Sequence, residues 1–114
     1  MANISPIGSR ETVAESLASF SIENQSWLAL LMDNPTSDDL LLDGLHLYLD
    51  QASEAKFLNS LKLQKCGEWI GGTAPARLQI RLMEAAKSSQ HPANAAFRDG
   101  LTRSGGLERA YPKV

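Results

Sequence analysis

Apolar residues recur at the spacing of an amphipathic helix near the start of the chain. Val13, Leu17 and Phe20 have the spacing i, i+4 and i+7, which places them on one face of a helix. Ser9 stands just before them as an N-cap, so we predict a first helix from about Arg10. Ser21 can cap a second helix that carries the apolar run of residues 27–32. We therefore predict a brief break near Ser21.

The clearest helix boundary in the sequence is Asn34-Pro35, because proline disfavours helical geometry in the residue before it. Asp38 and Asp39 suit the first turn of the next helix, where the helix dipole stabilises acidic side chains. That helix is apolar on more than one face, with leucines at 40, 41, 42, 45, 47 and 49. We predict that it is the central helix of a bundle, with Leu45 in the core.

A further helix is predicted between Ser53 and Gly67. Ser53 would cap it, and Gly67 would follow its last turn. Lys62 and Lys65 would lie near its C-terminal end, where the helix dipole favours cations. Its apolar side chains would be Phe57, Leu58 and Leu61. The pair Gly71-Gly72 predicts a turn after it.

The strongest helix signature covers residues 74–88, where proline in the first turn follows a threonine. An apolar stripe faces the core through Leu78, Leu82, Met83, Ala85 and Ala86. Arg77 and Arg81 lie one turn apart on the opposite edge. We expect both arginines to face solvent, so that replacing both by glutamate spares the fold and abolishes binding to an acidic protein or an anionic surface. If the arginines instead neutralise the acidic half of the chain, the same change lowers the melting temperature.

Pro92 opens a shorter helix through Leu101, which Ser104-Gly105-Gly106 ends. No segment alternates apolar and polar residues for long, so we predict no sheet. The expected fold is all-α: one small helical bundle of about five helices with short loops over residues 9–104. Residues 1–8 should be a flexible N-terminus, and residues 105–114 a polar C-terminal tail.

The charged residues are segregated along the chain. Up to Ala55 there are nine acidic residues and one basic residue, a net charge of −8, whereas from Lys56 onward ten bases face four acids, a net charge of +6. Either the two halves fold together and neutralise each other, or one half faces a partner of opposite sign. The sequence leaves both interpretations open.

No apolar run approaches the length that spans a bilayer. The first ten residues lack the basic and apolar segments of a secretory signal, and Cys66 is the only cysteine, so an internal disulfide cannot form. We expect a cytoplasmic protein without a transmembrane segment. The serine-rich start is a composition typical of bacterial secreted effectors, so the chain could also be a targeting domain or a fragment of a larger protein.

The residues that could carry chemistry are few. His46, His91 and Cys66 lack the close spacing of metal ligands, so we expect no metal and no cofactor. We expect a partly buried His46, a helix-capping His91, and an inert core thiol at Cys66, which would close a helix. The acids at 38, 39 and 43 are explained by helix capping rather than catalysis. Residues 71–73 could hold a phosphate but belong to no nucleotide-binding motif.

A nucleic-acid reader is the second possibility. Arg77 and Gln79 stand near the start of a second helix, where a helix-turn-helix protein presents side chains to the major groove. The intervening loop looks too long for such a motif, and Gln79 should turn towards the apolar side. The acidic N-terminal half would also repel DNA. Nucleic acid is therefore the less favoured partner.

The sequence favours a helical protein-interaction module, such as an adaptor, a chaperone-like or regulatory subunit, or a targeting domain. A helix-turn-helix regulator ranks second and a small enzyme third. Trp27 should be buried, while Trp69, between two glycines, is harder to bury. The expected partner is another protein, with an acidic one favoured, or a second copy of the chain. Our candidate partner-binding residues are Arg77, Arg81, Trp69, Lys62 and Lys65.

Overall fold

A computed structural model of the chain describes residues 9–87 and 90–104. Within these ranges the chain forms six α-helices and one 3-10 turn, without strands. In chain order they are α1 (Arg10–Ala18), α2 (Ile22–Asp33), the 3-10 turn (Pro35–Ser37), α3 (Asp38–Glu54), α4 (Ser60–Thr73), α5 (Ala76–Ala86) and α6 (Pro92–Arg103). The all-α prediction is confirmed. The predicted flexible N-terminus (1–8) and polar tail (105–114) lie outside the described residues.

Polar side chains cap the starts of four helices, as their sequences predict for three of them. Ser9 accepts a hydrogen bond from the backbone N–H three residues ahead at 3.1 Å, and Ser21 does the same at 3.4 Å. His91 Nδ1 accepts from the N–H two residues ahead at 3.1 Å, directly before Pro92. Asn59 caps α4 in the same way at 3.0 Å. These bonds satisfy donors that the first helical turn leaves unpaired.

The central position of α3 is confirmed, since it packs against α1, α2, α5 and α6. Its buried apolar side chains are Leu41, Leu42, Leu45, Tyr48 and Leu49. Its outer stripe is exposed and consists of Asp39, Asp43, His46 and Asp50. The expectation of a partly buried His46 was wrong, because its helical position places it between two aspartates on the solvent side.

The predicted boundaries around α4 were wrong. Ser53 lies inside α3 and donates a hydrogen bond to the carbonyl of Leu49 at 2.8 Å, so it caps nothing. The helix begins at Ser60 and runs through Gly67 and Gly71 to Thr73. Cys66 therefore sits in the middle of a helix instead of closing it.

Close packing against α6 explains why α4 contains these glycines. A Cβ atom on Gly67 would collide with the backbone carbonyl of Phe97, and one on Gly71 would collide with Ser104. On the other side, a Cβ on Gly100 would collide with the Gln64 carbonyl. The two helices run in the same direction, because later positions of α4 face later positions of α6. Glycine serves here to bring two backbones together.

The connection from α4 to α5 is only two residues long, Ala74 and Pro75. Gln79 is buried and donates hydrogen bonds to the carbonyls of Gly71 at 2.7 Å and Ala74 at 3.0 Å. This side chain therefore binds the end of α4 to the start of α5. The predicted helix 74–88 is confirmed in its core, but it begins two residues later, and residues 88–89 lie outside the described part of the chain.

Across residues 9–87 and 90–104, each helix is either too short or too polar to span a bilayer.

Candidate interaction surface

The structure separates the five predicted partner-binding residues into two groups. Arg77 and Arg81 lie on α5, next to the start of α3. Lys62, Lys65 and Trp69 lie on α4, and the two lysines are in its first half, which follows the loop that joins α3 to α4. The two groups differ in what surrounds their charges.

Arg77 is held by α3. Its Nε donates to Asp38 Oδ2 at 3.0 Å, and its terminal nitrogen donates to Asp38 Oδ1 at 3.1 Å and to the Met32 carbonyl at 2.6 Å. The hydrogen bond with Asp38 raises the pKa of Arg77 above its usual value. Only 12% of the Asp38 side chain is exposed. Arg77 therefore joins the end of α2, the start of α3 and α5 in one polar contact.

Arg81 makes a second ion pair one turn further along α5. Its terminal nitrogen lies 2.8 Å from Asp39 Oδ1, and both side chains are exposed. These two pairs join the basic half of the chain to its acidic half. The arginines do reach the surface, as predicted, but their charges already have partners inside the domain.

The second group borders exposed apolar side chains. Phe57 is 84% exposed and Leu61 is 59% exposed. Half-buried Trp69 lies on the same face of α4 and makes an edge-to-face contact with Phe20, with ring centroids 5.3 Å apart. We call this region the lysine-rimmed surface. It comprises Phe20, Phe57, Leu58, Leu61, Lys62, Lys65 and Trp69.

Two neighbouring hollows indent the lysine-rimmed surface. One, of about 160 Å³, is lined by Tyr48, Phe57, Leu58 and Leu63 together with Asn59 and Lys62. The other, of about 310 Å³, is lined by Phe20, Asn59, Leu61, Lys62 and Lys65. Because both hollows include Asn59 and Lys62, they lie side by side. The charged side chains that line them are Lys62 and Lys65.

The local sequence explains why this surface stays exposed. α3 ends at Glu54 and α4 begins at Ser60, so Phe57 lies in a short loop and cannot turn inward with a helical stripe. Lys56 Nζ lies 5.8 Å from the centre of the Phe57 ring. We had predicted Phe57 and Leu61 as apolar positions of a packed helix. The predicted helix begins at Ser53, whereas α4 begins at Ser60, so the prediction placed Phe57 inside a helix instead of in the loop.

The other candidate residues serve structure. Cys66 is fully buried, and burial raises the pKa of its thiol to about 12. This agrees with the expected inert thiol, although not with its expected place at a helix end. Gly71 and Gly72 lie inside α4, so the backbone amides of residues 71–73 do not form the expected loop before a helix. Trp27 is half-buried against the core rather than buried.

A cleft of about 380 Å³ between α5 and α6 is lined by Met83, Lys87, Ala95, Arg98, Asp99 and Thr102. Its charged groups are largely engaged within the domain. Arg98 donates to the Ala86 carbonyl at 3.4 Å. Asp99 accepts from Gln64 at 2.7 Å and from Arg103 at 2.9 Å. The Arg98 bond links α6 to the end of α5, and the Gln64 bond links α6 to α4.

For a helix-turn-helix reader the structure shows two opposing features. The two-residue connection between α4 and α5 is tighter than the sequence had suggested. However, Gln79 is buried and bonded to backbone carbonyls, and Arg77 is bonded to Asp38. The two side chains proposed to read bases are thus both used to hold helices together.

Comparison of the chain with protein-family models, with curated proteins and with solved structures found no significant match. In the part of the chain that the structure describes, three potential metal-ligating side chains do not come together at any point.

Proposed function

We propose that this domain is a protein-interaction module that binds its partner through the lysine-rimmed surface. The observation that carries the proposal is the exposure of Phe57 and Leu61 beside two apolar hollows. Side chains of this size are normally buried, and an exposed apolar cluster with a charged rim is typical of an interaction site.

Covering these side chains supplies the driving force for association. Burial of a phenylalanine or leucine side chain contributes about 1.5–3 kcal/mol. An aromatic residue at the centre of such a surface is also a typical hot spot. Phe57 is the candidate anchor because it is more exposed than Leu61 and lines the smaller hollow.

Lys62 and Lys65 define the chemistry of the partner. Neither lysine forms an ion pair with another described residue, whereas Arg77 and Arg81 each pair with an aspartate. Positive groups around an apolar centre favour a partner that presents apolar side chains flanked by carboxylates, and they speed association. Glu68, three residues after Lys65, is exposed on the same helix but does not line either hollow.

The proposal assigns a binding role and not a catalytic one. Two groups that could act as a nucleophile or base are explained otherwise: Cys66 is buried, and His91 caps α6. His46 is exposed on α3 and lines neither of the two hollows nor the cleft between α5 and α6. A regulator that reads DNA would need Arg77 and Gln79 free, and both are bonded inside the domain. We place the interaction in the cytoplasm, where a reducing environment suits a domain with one buried thiol.

Site-specific photocrosslinking tests this proposal. A photoreactive amino acid replaces Leu61, and the full chain is irradiated in an extract of the source cells. We expect a discrete protein adduct, which is lost when Lys62→Glu and Lys65→Glu are added. The matched control places the same group at Glu84, an exposed position on α5 away from the hollows. Equal adducts at both positions, or no adduct at Leu61, would contradict the proposal.

A further inference from the structure

Four large apolar side chains are exposed among the described residues, and they form two pairs. Phe57 and Leu61 belong to the lysine-rimmed surface. The other two are Ile22, which is 81% exposed, and Leu30, which is 67% exposed, both on α2. Acidic side chains lie near the second pair and lysines lie near the first, so the two pairs have complementary surroundings.

The outer face of α2 carries Ile22, Ser26, Leu30 and Asp33. These positions follow an i, i+4, i+8, i+11 spacing, so they lie on one side of the helix, and all four are exposed. Exposed Glu23 lies beside this face. The opposite side of α2 packs into the core through Leu28, Leu31 and Met32. The outer face therefore has apolar side chains with a carboxylate near each end.

We propose that the lysine-rimmed surface of one copy binds the outer face of α2 from a second copy. Ile22 and Leu30 would cover Phe57, Leu61 and the hollows, and Glu23 and Asp33 would approach Lys62 and Lys65. The inference rests on the proposed function, because it names the occupant of that same surface. Among the described residues, the outer face of α2 is the acidic and apolar helix face that lies next to this surface.

The position of α2 allows both contacts to form at once. Phe20 lines the larger hollow and precedes Ile22 by only two residues, so α2 begins at the edge of the lysine-rimmed surface. In a two-fold dimer each copy then supplies one α2 and receives one α2. Such an interface closes on itself, so the product is a dimer and not an open chain of copies.

The first measurement is the mass of the purified full chain by light scattering over a range of concentrations. We expect a dimer in equilibrium with the monomer. The variant Lys62→Glu/Lys65→Glu and the variant Glu23→Lys/Asp33→Lys should each dimerise at least about tenfold more weakly, because like charges then face each other. Circular dichroism of each variant should match the parent, since all four positions are exposed.

Mixing the two charge-reversed variants is the decisive test. In a heterodimer the acidic α2 of one variant meets the lysines of the other, and the basic α2 meets the introduced glutamates. Both contacts are restored, so an equimolar mixture should dimerise as the parent does. The matched control mixes Lys62→Glu/Lys65→Glu with Asp43→Lys/Asp50→Lys, which changes the net charge equally on the outer stripe of α3. In this mixture Asp43→Lys/Asp50→Lys should dimerise with itself as the parent does, and Lys62→Glu/Lys65→Glu should stay monomeric.

The outcomes separate this inference from the proposed function. A parent that is monomeric, yet crosslinks another protein from Leu61, overturns self-association and leaves the interaction module in place. A monomeric parent without any adduct overturns both. A dimer that neither charge reversal weakens overturns the assignment of α2 as the occupant. So does Lys62→Glu/Lys65→Glu entering dimers equally well in both mixtures.

Discussion

The arginines of α5 and the lysines of α4 look alike in the sequence but differ in the folded domain. Both pairs lie on helix surfaces within the basic half of the chain. Arg77 forms a forked contact with a carboxylate that is 12% exposed, whereas Lys62 and Lys65 border open apolar hollows. The planar guanidinium suits a fixed bidentate contact, and the flexible ammonium suits a solvated rim. The arginines join helices within the domain, and the lysines form no ion pair with another described residue.

A substitution in the core should cause the largest loss of stability among the proposed variants. Leu45 is 1% exposed at the centre of α3. Leu45→Asp places an unpaired carboxylate in the core, so we expect a loss of about 4 kcal/mol or more, which is close to the whole stability of a marginal domain, and we expect the variant to unfold. Loss of the helical circular dichroism signal at 25 °C would be the readout. An unchanged thermal transition would show that α3 is not central.

The two basic pairs can be compared directly by matched double reversals. Arg77→Glu/Arg81→Glu brings glutamates beside Asp38 and Asp39, so we expect Tm to fall by about 5 °C or more. Lys62→Glu/Lys65→Glu should move Tm by less than about 2 °C, because exposed charges contribute little. This reverses our expectation from sequence that the arginine change spares the fold. Equal Tm values for the two variants would contradict the comparison.

Cys66 lies on the buried side of α4, and the lysines lie on its exposed side. Its thiol pKa is raised to about 12 in the folded state from an ordinary value of 9.0, because burial disfavours the thiolate. The folded state then binds more protons between these values, so the free energy of unfolding should fall as pH rises above about 9. Cys66→Ser should cost about 1–2 kcal/mol and leave any binding activity intact.

Two measurements check this expectation. Chemical denaturation between pH 7 and pH 11 should show a shallower loss of stability in Cys66→Ser than in the parent. A thiol reagent added at pH 8 should react slowly with the native domain and quickly after denaturation. Rapid reaction in the native state would place the thiol at the surface.

The smallest expected effect on stability is at the lysine-rimmed surface itself. Phe57→Ser/Leu61→Ser removes exposed side chains, so we expect the free energy of unfolding to change by less than about 0.5 kcal/mol. The same variant should lose the interaction proposed for this surface. Urea denaturation measures the first effect, and light scattering measures the second. A large loss of stability would show that these side chains pack inside the domain.

Part of the fold followed from local sequence. The spacing of Val13, Leu17 and the later leucines predicted helices with buried stripes, and Ser9, Ser21 and Pro35 marked where helices begin or end. Such signals act within one or two helical turns, so they do not depend on what the helix packs against. The absence of alternating segments predicted the all-α class for the same reason.

Only the tertiary structure decided the roles of the glycines and the charged side chains. Gly67 and Gly71 resemble helix stops in sequence, yet they bring α4 against α6. A guanidinium is neutralised by whichever carboxylate the fold places near it, and Arg77 meets Asp38 from a distant part of the chain. The exposure of Phe57 likewise depends on where α3 ends and α4 begins. The sequence by itself determined the all-α class and most helix starts, and long-range packing determined the bounds of α4 and which side chains stay exposed.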